Sequence, residues 1–239
     1  MFWRILIRTF PAFLFLLFTL SRTAFPSGAC CSVSKGDSKK TSFSLTFSYA
    51  QSHERFSKET YNFTQQALNL KGGYPITKNL FLQAYIGLPL YSKLSHQTSE
   101  MRGNWGVIYG GGIGYLFPEL LKPVEFFASL NATRSHGFLN EMENGEKIDQ
   151  AILLSEIQGI LLAELDPVKN FSFYTGFRLY YGKNKLSDDR TGSEFSGDKE
   201  GNLSPLVGIR YSWLENFGLG AEAGLGHTRV FSLGTFFTF

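Results

Sequence analysis

Four histidines, His53, His96, His136 and His227, are the side chains of this 239-residue sequence best suited to moving protons at neutral pH. Asp188, Asp189 and Asp198 occupy the same kind of polar stretch, so the parts of an acid–base hydrolase are present as residue types. A second group, Glu156, Gln158, Glu164, Arg178, Arg210 and Glu222, lies inside apolar segments. Charges in such surroundings must be paired, so these residues predict ion pairs rather than proton transfer. Cys30 and Cys31 are adjacent and cannot staple distant segments, which excludes a disulfide framework. The run Gly110-Gly111-Gly112-Ile113-Gly114 lacks the spacing of a dinucleotide-binding loop. No metal-ligand or cofactor spacing is present, so the sequence predicts neither.

The elements that carry these residues show a period of two. Phe43, Leu45, Phe47 and Tyr49 alternate with Ser42, Ser44, Thr46 and Ser48. The same alternation returns in Leu80–Leu88, Val107–Phe117, Val124–Leu130, Phe171–Tyr181, Leu203–Trp213, Phe217–Leu225 and Phe231–Phe239. It marks strands with one apolar face and one polar or small face. In the second strand Tyr61 and Phe63 share one parity and Leu68 and Leu70 the other, which predicts a bulge near Gln65-Gln66. The sixth segment, Ile148 to Leu165, is apolar almost throughout and fits the series as a strand. The count is ten strands, with eight as the alternative.

Connections alternate in length. Turn chemistry marks Tyr74–Lys78, Pro118–Lys122, Asp166–Asn170 and Leu214–Asn216, and a further tight turn lies near Gly226-His227. Polar stretches at 51–59, 92–102, 135–147 and 183–200 read as long loops. Pairing across the Asp166–Asn170 turn sets Arg178 opposite Gln158 and diagonal to Glu156. Pairing across Leu214–Asn216 sets Arg210 diagonal to Glu222, within reach of long side chains. Alternate glycines Gly218 and Gly220 make room for Phe236.

Composition narrows the class. Lys and Arg number 23 against 20 Asp and Glu, and the first 29 residues hold Arg4, Arg8 and Arg22 without an acidic residue. The remainder is electroneutral, which argues against a nucleic-acid binder. Twenty-four Phe and 25 Gly with only 18% charged residues exclude disorder and an ordinary soluble surface. Phe10 to Leu20 forms an apolar core behind Arg4 and Arg8, with Ser27 and Ala29 placed for cleavage before Cys30. That core is shorter than the roughly 20 residues a membrane-spanning helix needs. The expected organisation is a cleaved signal peptide over 1–29, a polar tether over 30–40 and a β-domain over 41–239. Cys30 would be the lipidated residue if the cleavage site acts as a lipobox.

The final stretch, VFSLGTFFTF, alternates apolar residues through Phe231, Leu233 and Phe237 and ends on Phe239. It resembles the terminal strand of bacterial outer-membrane β-barrel proteins. The resemblance implies a closed antiparallel transmembrane barrel in a Gram-negative outer membrane, and recognition of those terminal residues by the barrel-assembly machinery. Aromatic residues beside the short turns (Tyr115, Phe117, Phe171, Tyr211, Trp213, Phe217 and Phe237) fit an interfacial girdle. Omptin proteases of this class carry Asp-x-Asp and Asp-x-His pairs, and outer-membrane lipid deacylases a His-x-Ser pair. Neither occurs here, so no catalytic residue is assigned. The expectation is a monomeric, non-enzymatic barrel whose lumen charges form a plug and whose surface segments meet an extracellular ligand, lipid and lipopolysaccharide. The alternatives are a narrow channel for ions or small solutes, and a hydrolase at the loop rim.

Overall fold

The computed structural model describes residues 41–56, 59–97, 99–121, 123–143, 146–188, 193–214, 216–226 and 228–239. The proposed signal peptide, the tether, Cys30, Asp189 and His227 lie outside the described residues. Ten strands follow one another: β1 (Ser42–Phe56), β2 (Glu59–Pro75), β3 (Leu80–His96), β4 (Ser99–Leu121), β5 (Val124–Glu143), β6 (Glu146–Val168), β7 (Phe171–Asp188), β8 (Glu194–Leu214), β9 (Phe217–Gly224) and β10 (Arg229–Thr238). Each pairs antiparallel with its neighbour, and β10 returns to β1 to close the barrel. Ten strands, not eight, make the ring.

The alternation read from the sequence sorts the two faces. Leu45, Leu70, Ile86, Ile113, Leu130, Leu161, Phe177, Leu179, Leu203 and Val207 point outward and are each more than a third exposed. Serines and threonines of β1, with Gln83, Ser129, Gln158, Arg178, Arg210 and Glu222, point inward and are buried. A surface of this kind is stable only in hydrocarbon, so the barrel spans a membrane. Around the turn end the outward rings touch in series. Tyr211 meets Trp213 at 5.8 Å, Trp213 meets Phe217 at 5.5 Å and Phe217 meets Phe237 at 4.8 Å. Tyr115 and Phe117 (4.9 Å) and Phe43 and Phe239 (6.1 Å) extend the belt.

The polar stretches expected as loops are strands. A strand tilted across a membrane needs about 9–11 residues, whereas β4 and β6 each run to 23 and β8 to 21. The surplus rises above the apolar belt, and there the two faces exchange character. Outward positions become His53, Arg55, Lys93, Arg102, Lys183 and Lys185. Inward positions become Phe56, Phe63, Leu94, Met101, Leu139, Ile152, Leu154 and Leu186, which form one apolar cluster. Outside the membrane the wall obeys the ordinary soluble rule of apolar inside and polar outside. On that outer surface Lys93 and Arg102 both bond Glu100 and hold its carboxyl below the usual carboxylate range.

This exchange explains the parity switch in β2. Phe63, Gln65, Ala67 and Lys71 all face inward and Leu68 and Leu70 outward, so β2 itself is regular. The register shift falls at the level of Gln66 and Ala67, but the extra residue is Leu90 of β3, since Gln66 pairs with Tyr91 and Ala67 with Pro89. The β6–β7 turn also differs from expectation. β6 continues to Val168, Asn170 takes a positive φ of 70°, and one extra residue of β6 lies between Leu165 and Val168, which together set the register two residues from the expected one. Leu165 therefore faces Phe173, and Arg178 faces Ile160.

β9 and β10 are short, at 8 and 10 residues, and stop at the top of the belt. Above them β8 leans onto β1: a Cβ at Gly197 would stand 1.6 Å from the Arg55 carbonyl oxygen. The upper barrel thus narrows toward eight strands, a size at which side chains fill the interior. Leu94 and Leu139 are fully buried in that filling. Leu94→Ala or Leu139→Ala should cost about 2–5 kcal/mol of stability, read as a lower urea midpoint for the heat-modifiable folded form. The exposed Leu203→Ala should leave the detergent-solubilised barrel nearly unchanged.

Candidate functional site

The wall encloses a lumen, and among the described residues three layers lie across it. Toward the turn end, Phe127, Ile160, Leu162, Tyr174 and Leu206 form an apolar layer with Leu116. Phe127 fits because Gly114 faces it; a Cβ there would come within 2.7 Å of the ring. Gly110 serves Tyr85 in the same way, and Tyr85 donates its hydroxyl hydrogen to the Ala132 carbonyl at 3.1 Å. Gly110 and Gly114 of β4 are thus seats for rings from neighbouring strands, while Gly112 makes room for the Asn131 side chain.

The second layer is ionic. Arg178 Nη2 donates to Glu222 Oε1 at 2.5 Å, and both side chains are essentially inaccessible. Tyr174 donates to the other carboxylate oxygen at 3.3 Å, and Arg178 Nη1 donates to the Tyr180 hydroxyl at 2.8 Å. β7 supplies Tyr174, Arg178 and Tyr180 on its inward parity, and β9 supplies Glu222. Both reach across β8, where Gly208 lies opposite Glu222 and leaves the space the Tyr174 ring occupies.

Arg210 has a different partner from the one its register suggests. It stands diagonal to Glu222, since Arg210 pairs with Gly220 and Gly208 with Glu222. Its guanidinium nevertheless turns toward β6 and donates to Glu164 Oε2 at 2.9 Å. Tyr174 and Phe236 flank it, with ring centroids 5.9 and 5.6 Å away, which adds cation–π attraction. Phe236 packs over Gly218. Glu156 and Gln158 meet each other, through Gln158 Nε2 to Glu156 Oε2 at 3.2 Å, and not Arg178.

Above the ionic layer lies a cavity of ≈ 100 Å³ beneath the apolar cap of the upper barrel. Glu54, Lys71, Tyr85, Asn131, Glu156 and Gln158 supply its polar lining, and Phe63, Ile108, Leu154 and Ile160 its apolar walls. Glu54 accepts from Ser52 and from Asn184 Nδ2. Sequence reasoning missed Glu54, Lys71, Tyr174 and Tyr180. Glu54 was hidden in a supposed loop, while Tyr174 and Tyr180 share parity with Arg178, a signal that could have found them.

The histidines do not converge. His53 is exposed on the outward face, and His96 Nδ1–H donates to the Thr60 carbonyl, 2.9 Å away. His136 stacks on Phe138 at 4.9 Å. Among the described residues, no three His, Cys, Asp or Glu side chains gather as a metal site. The proposed terminal signal residues Phe231, Leu233, Phe237 and Phe239 face outward along β10, and the Phe239 N–H donates to the Thr41 carbonyl at 2.9 Å.

The sequence matches no protein-family model and no curated protein. Among solved structures, the chain is similar to the outer membrane protease OmpT from Escherichia coli, with 10% identity, 87% of this chain and 100% of that one covered, and a TM-score of 0.57. It is also similar to the translocator domain of the autotransporter NalP from Neisseria meningitidis, with 12% identity, 86% and 90% covered, and a TM-score of 0.52. At this identity the likeness shows the fold: the antiparallel β-barrel of bacterial outer-membrane proteins.

The two ion pairs predict separate couplings. Arg178→Met and Glu222→Gln should each cost about 3–5 kcal/mol, because each strands a buried partner. The double variant should lose less than the sum of the single losses. Arg210→Met should couple in the same way to Glu164→Gln, and more weakly to Glu222→Gln, with which it shares Tyr174. Denaturant midpoints of the refolded barrel check all of these combinations.

Proposed function

We infer that this protein is an outer-membrane barrel closed to flow along its axis, and that its upper strand extension is the working surface. The observation that carries this reading is the series of three blocks in the lumen: the apolar cap, the Arg178–Glu222 layer and the lower apolar layer. An ion moving along the axis would shed its hydration at two dry apolar layers and displace a buried ion pair between them. The tall end then faces out of the cell, and the chain ends and short turns face the periplasm. Lipid and lipopolysaccharide surround the apolar belt, and the barrel-assembly machinery reads the terminal Phe231–Phe239 alternation.

The extension supports an interaction role of the adhesin kind. Its outer face alternates cations and anions, as in Lys185 with Glu194 at 3.0 Å and Lys93 with Glu100 and Arg102. Among the described residues, the upper strand ends, such as Phe56, Glu59, His96 and Ser99, are remote from the apolar belt. We read the protein as a non-enzymatic monomer: the three described histidines stand apart from one another, His96 beside Glu59 at 3.8 Å on the rim, and OmpT's protease activity does not carry over at 10% identity.

Two measurements test the reading. Refolded protein in planar bilayers should show no discrete conductance at neutral pH, and single-channel steps in the wild type would replace it with the narrow-channel alternative. Deletion of Phe239 should lower the heat-modifiable folded fraction in the outer membrane; an unchanged fraction would remove Phe239 as an assembly signal.

A further inference from the structure

One joint in the ring is incomplete. β1 pairs with β10 along its whole membrane portion, from Ser42 opposite Thr238 to Gln51 opposite Arg229. β2 pairs with β3 from Asn62 opposite Ser95 to Pro75 opposite Phe81. Between β1 and β2, however, the ladder runs only from Ser52 opposite Phe63 to Phe56 opposite Glu59, entirely in the upper extension. Below it the strands stay in register without ladder pairing. Continuing that register sets Ser48 opposite Ala67 and Phe43 opposite Gly72. Ser48 Oγ does donate to the Ala67 carbonyl at 3.3 Å, Asn69 Nδ2 donates to Ser48 Oγ, and the Phe43 ring lies against Gly72.

Backbone groups facing hydrocarbon without ladder partners cost several kcal/mol each, so a barrel wall normally pairs every one. Here hydroxyls lie along the inner side of the joint at Ser42, Ser44, Thr46 and Ser48 of β1, facing Asn69 and Lys71 of β2. Ser44 Oγ is buried without a hydrogen-bond partner.

Both ends of a path through this joint are present. Inside, Thr46, Ala50, Asn69 and Lys71 of the joint line the lumen cavity. On the far wall of that cavity Asn131 Oδ1 is buried without a donor, and Thr228 Oγ1 is likewise unpartnered. Outside, at the upper edge of the apolar belt, a groove of ≈ 440 Å³ runs along the same joint. Tyr49 and Gln51 of β1, Asn62, Thr64 and Gln66 of β2, and Tyr91 and Lys93 of β3 line it. The extra residue Leu90 turns Tyr91 outward and helps shape this groove.

We propose that the β1–β2 joint is a lateral entrance through which the polar head of a single-chain amphiphile passes from the outer leaflet into the lumen cavity. The acyl chain stays in the bilayer against Leu68, Leu70 and Leu45. The cavity sets the head chemistry. Its lining holds two carboxylates, Glu54 and Glu156, against one ammonium, Lys71, together with the unfilled acceptor of Asn131. A small donor head, an ammonium or a short polyol, fits that balance and the ≈ 100 Å³ available. The proposal rests on the axially closed lumen described above, because only a closed lumen makes the side entrance the route in.

The test uses the full barrel in lipid vesicles, with Cys30→Ser and Cys31→Ser and a reporter at Thr46→Cys; Ala50→Cys serves if the first reporter fails to fold. An N-dodecyl maleimide dissolved in the bilayer should label the reporter severalfold faster than a polymer-bound, water-soluble maleimide. Closing the joint with a Ser48→Cys/Ala67→Cys disulfide should abolish that labelling, and reduction should restore it. Dodecylamine should slow the labelling where dodecanoate does not. Labelling by neither reagent, or labelling that survives the disulfide, overturns the lateral entrance alone. Equal labelling by the water-soluble reagent overturns the axial closure, and with it both readings.

Discussion

Hydrocarbon offers no hydrogen bonds, and that single constraint shapes this molecule. A sheet can cross a membrane only if its edges meet, so the first and last strands must find each other. β10 does this by lying along β1 from Ser42 to Gln51. Once the ring is closed, strand alternation assigns every residue of the wall to lipid or lumen, and the packing follows. Bulky apolar residues go out, small and polar residues go in, and inward glycines accept rings from neighbouring strands, as Gly208 accepts Tyr174 and Gly218 accepts Phe236. The charges carried inward are then confined to a narrow space, where they must find one another.

The constraint relaxes where the wall leaves the membrane. Water can satisfy an edge there, so β9 and β10 stop while the other eight strands continue. Water also reverses which face should be apolar, and Phe56, Phe63, Leu94 and Leu139 accordingly turn inward above the belt. One continuous set of strands obeys two opposite patterning rules on either side of a boundary. The upper apolar cluster is the result of that reversal, and it also closes the lumen.

Much of this was legible in the residues. Alternation of the Phe43–Tyr49 kind identified the strands, their inward faces and the ten-strand count, because lipid and lumen differ so strongly in polarity. The β8–β9 register was legible too, since its turn is short and its glycines mark the parity. The upper strands were not, because a polar outward face without lipid reads as a loop. Partner choice was also beyond the sequence. Arg178 and Arg210 both have long side chains in a narrow barrel, so each reaches past its adjacent strand: Arg178 crosses β8 to Glu222 and Arg210 crosses β7 to Glu164. Neighbour-by-neighbour pairing cannot see such contacts. The two-residue displacement after β6 shows how a positive-φ turn at Asn170 and a bulge beside it together reset a register that spacing alone leaves open.

The β1–β2 joint sets the closure constraint against itself. A barrel that only needed to be closed would zip this joint with the same ladder that joins β1 to β10, and the small inward serines of β1 leave room for it. Instead the backbone ladder gives way to a few side-chain bonds around Ser48 and Asn69, which part more cheaply than a ladder does. Stability for the ring is supplied higher up, where Ser52–Phe56 pairs with Glu59–Phe63 beside the apolar cap. Separating the two tasks leaves the upper joint to hold the barrel shut while the lower one can open without unravelling it. A wall built this way tolerates a local opening toward lipid at the level of the cavity, where the lumen has room to receive what enters.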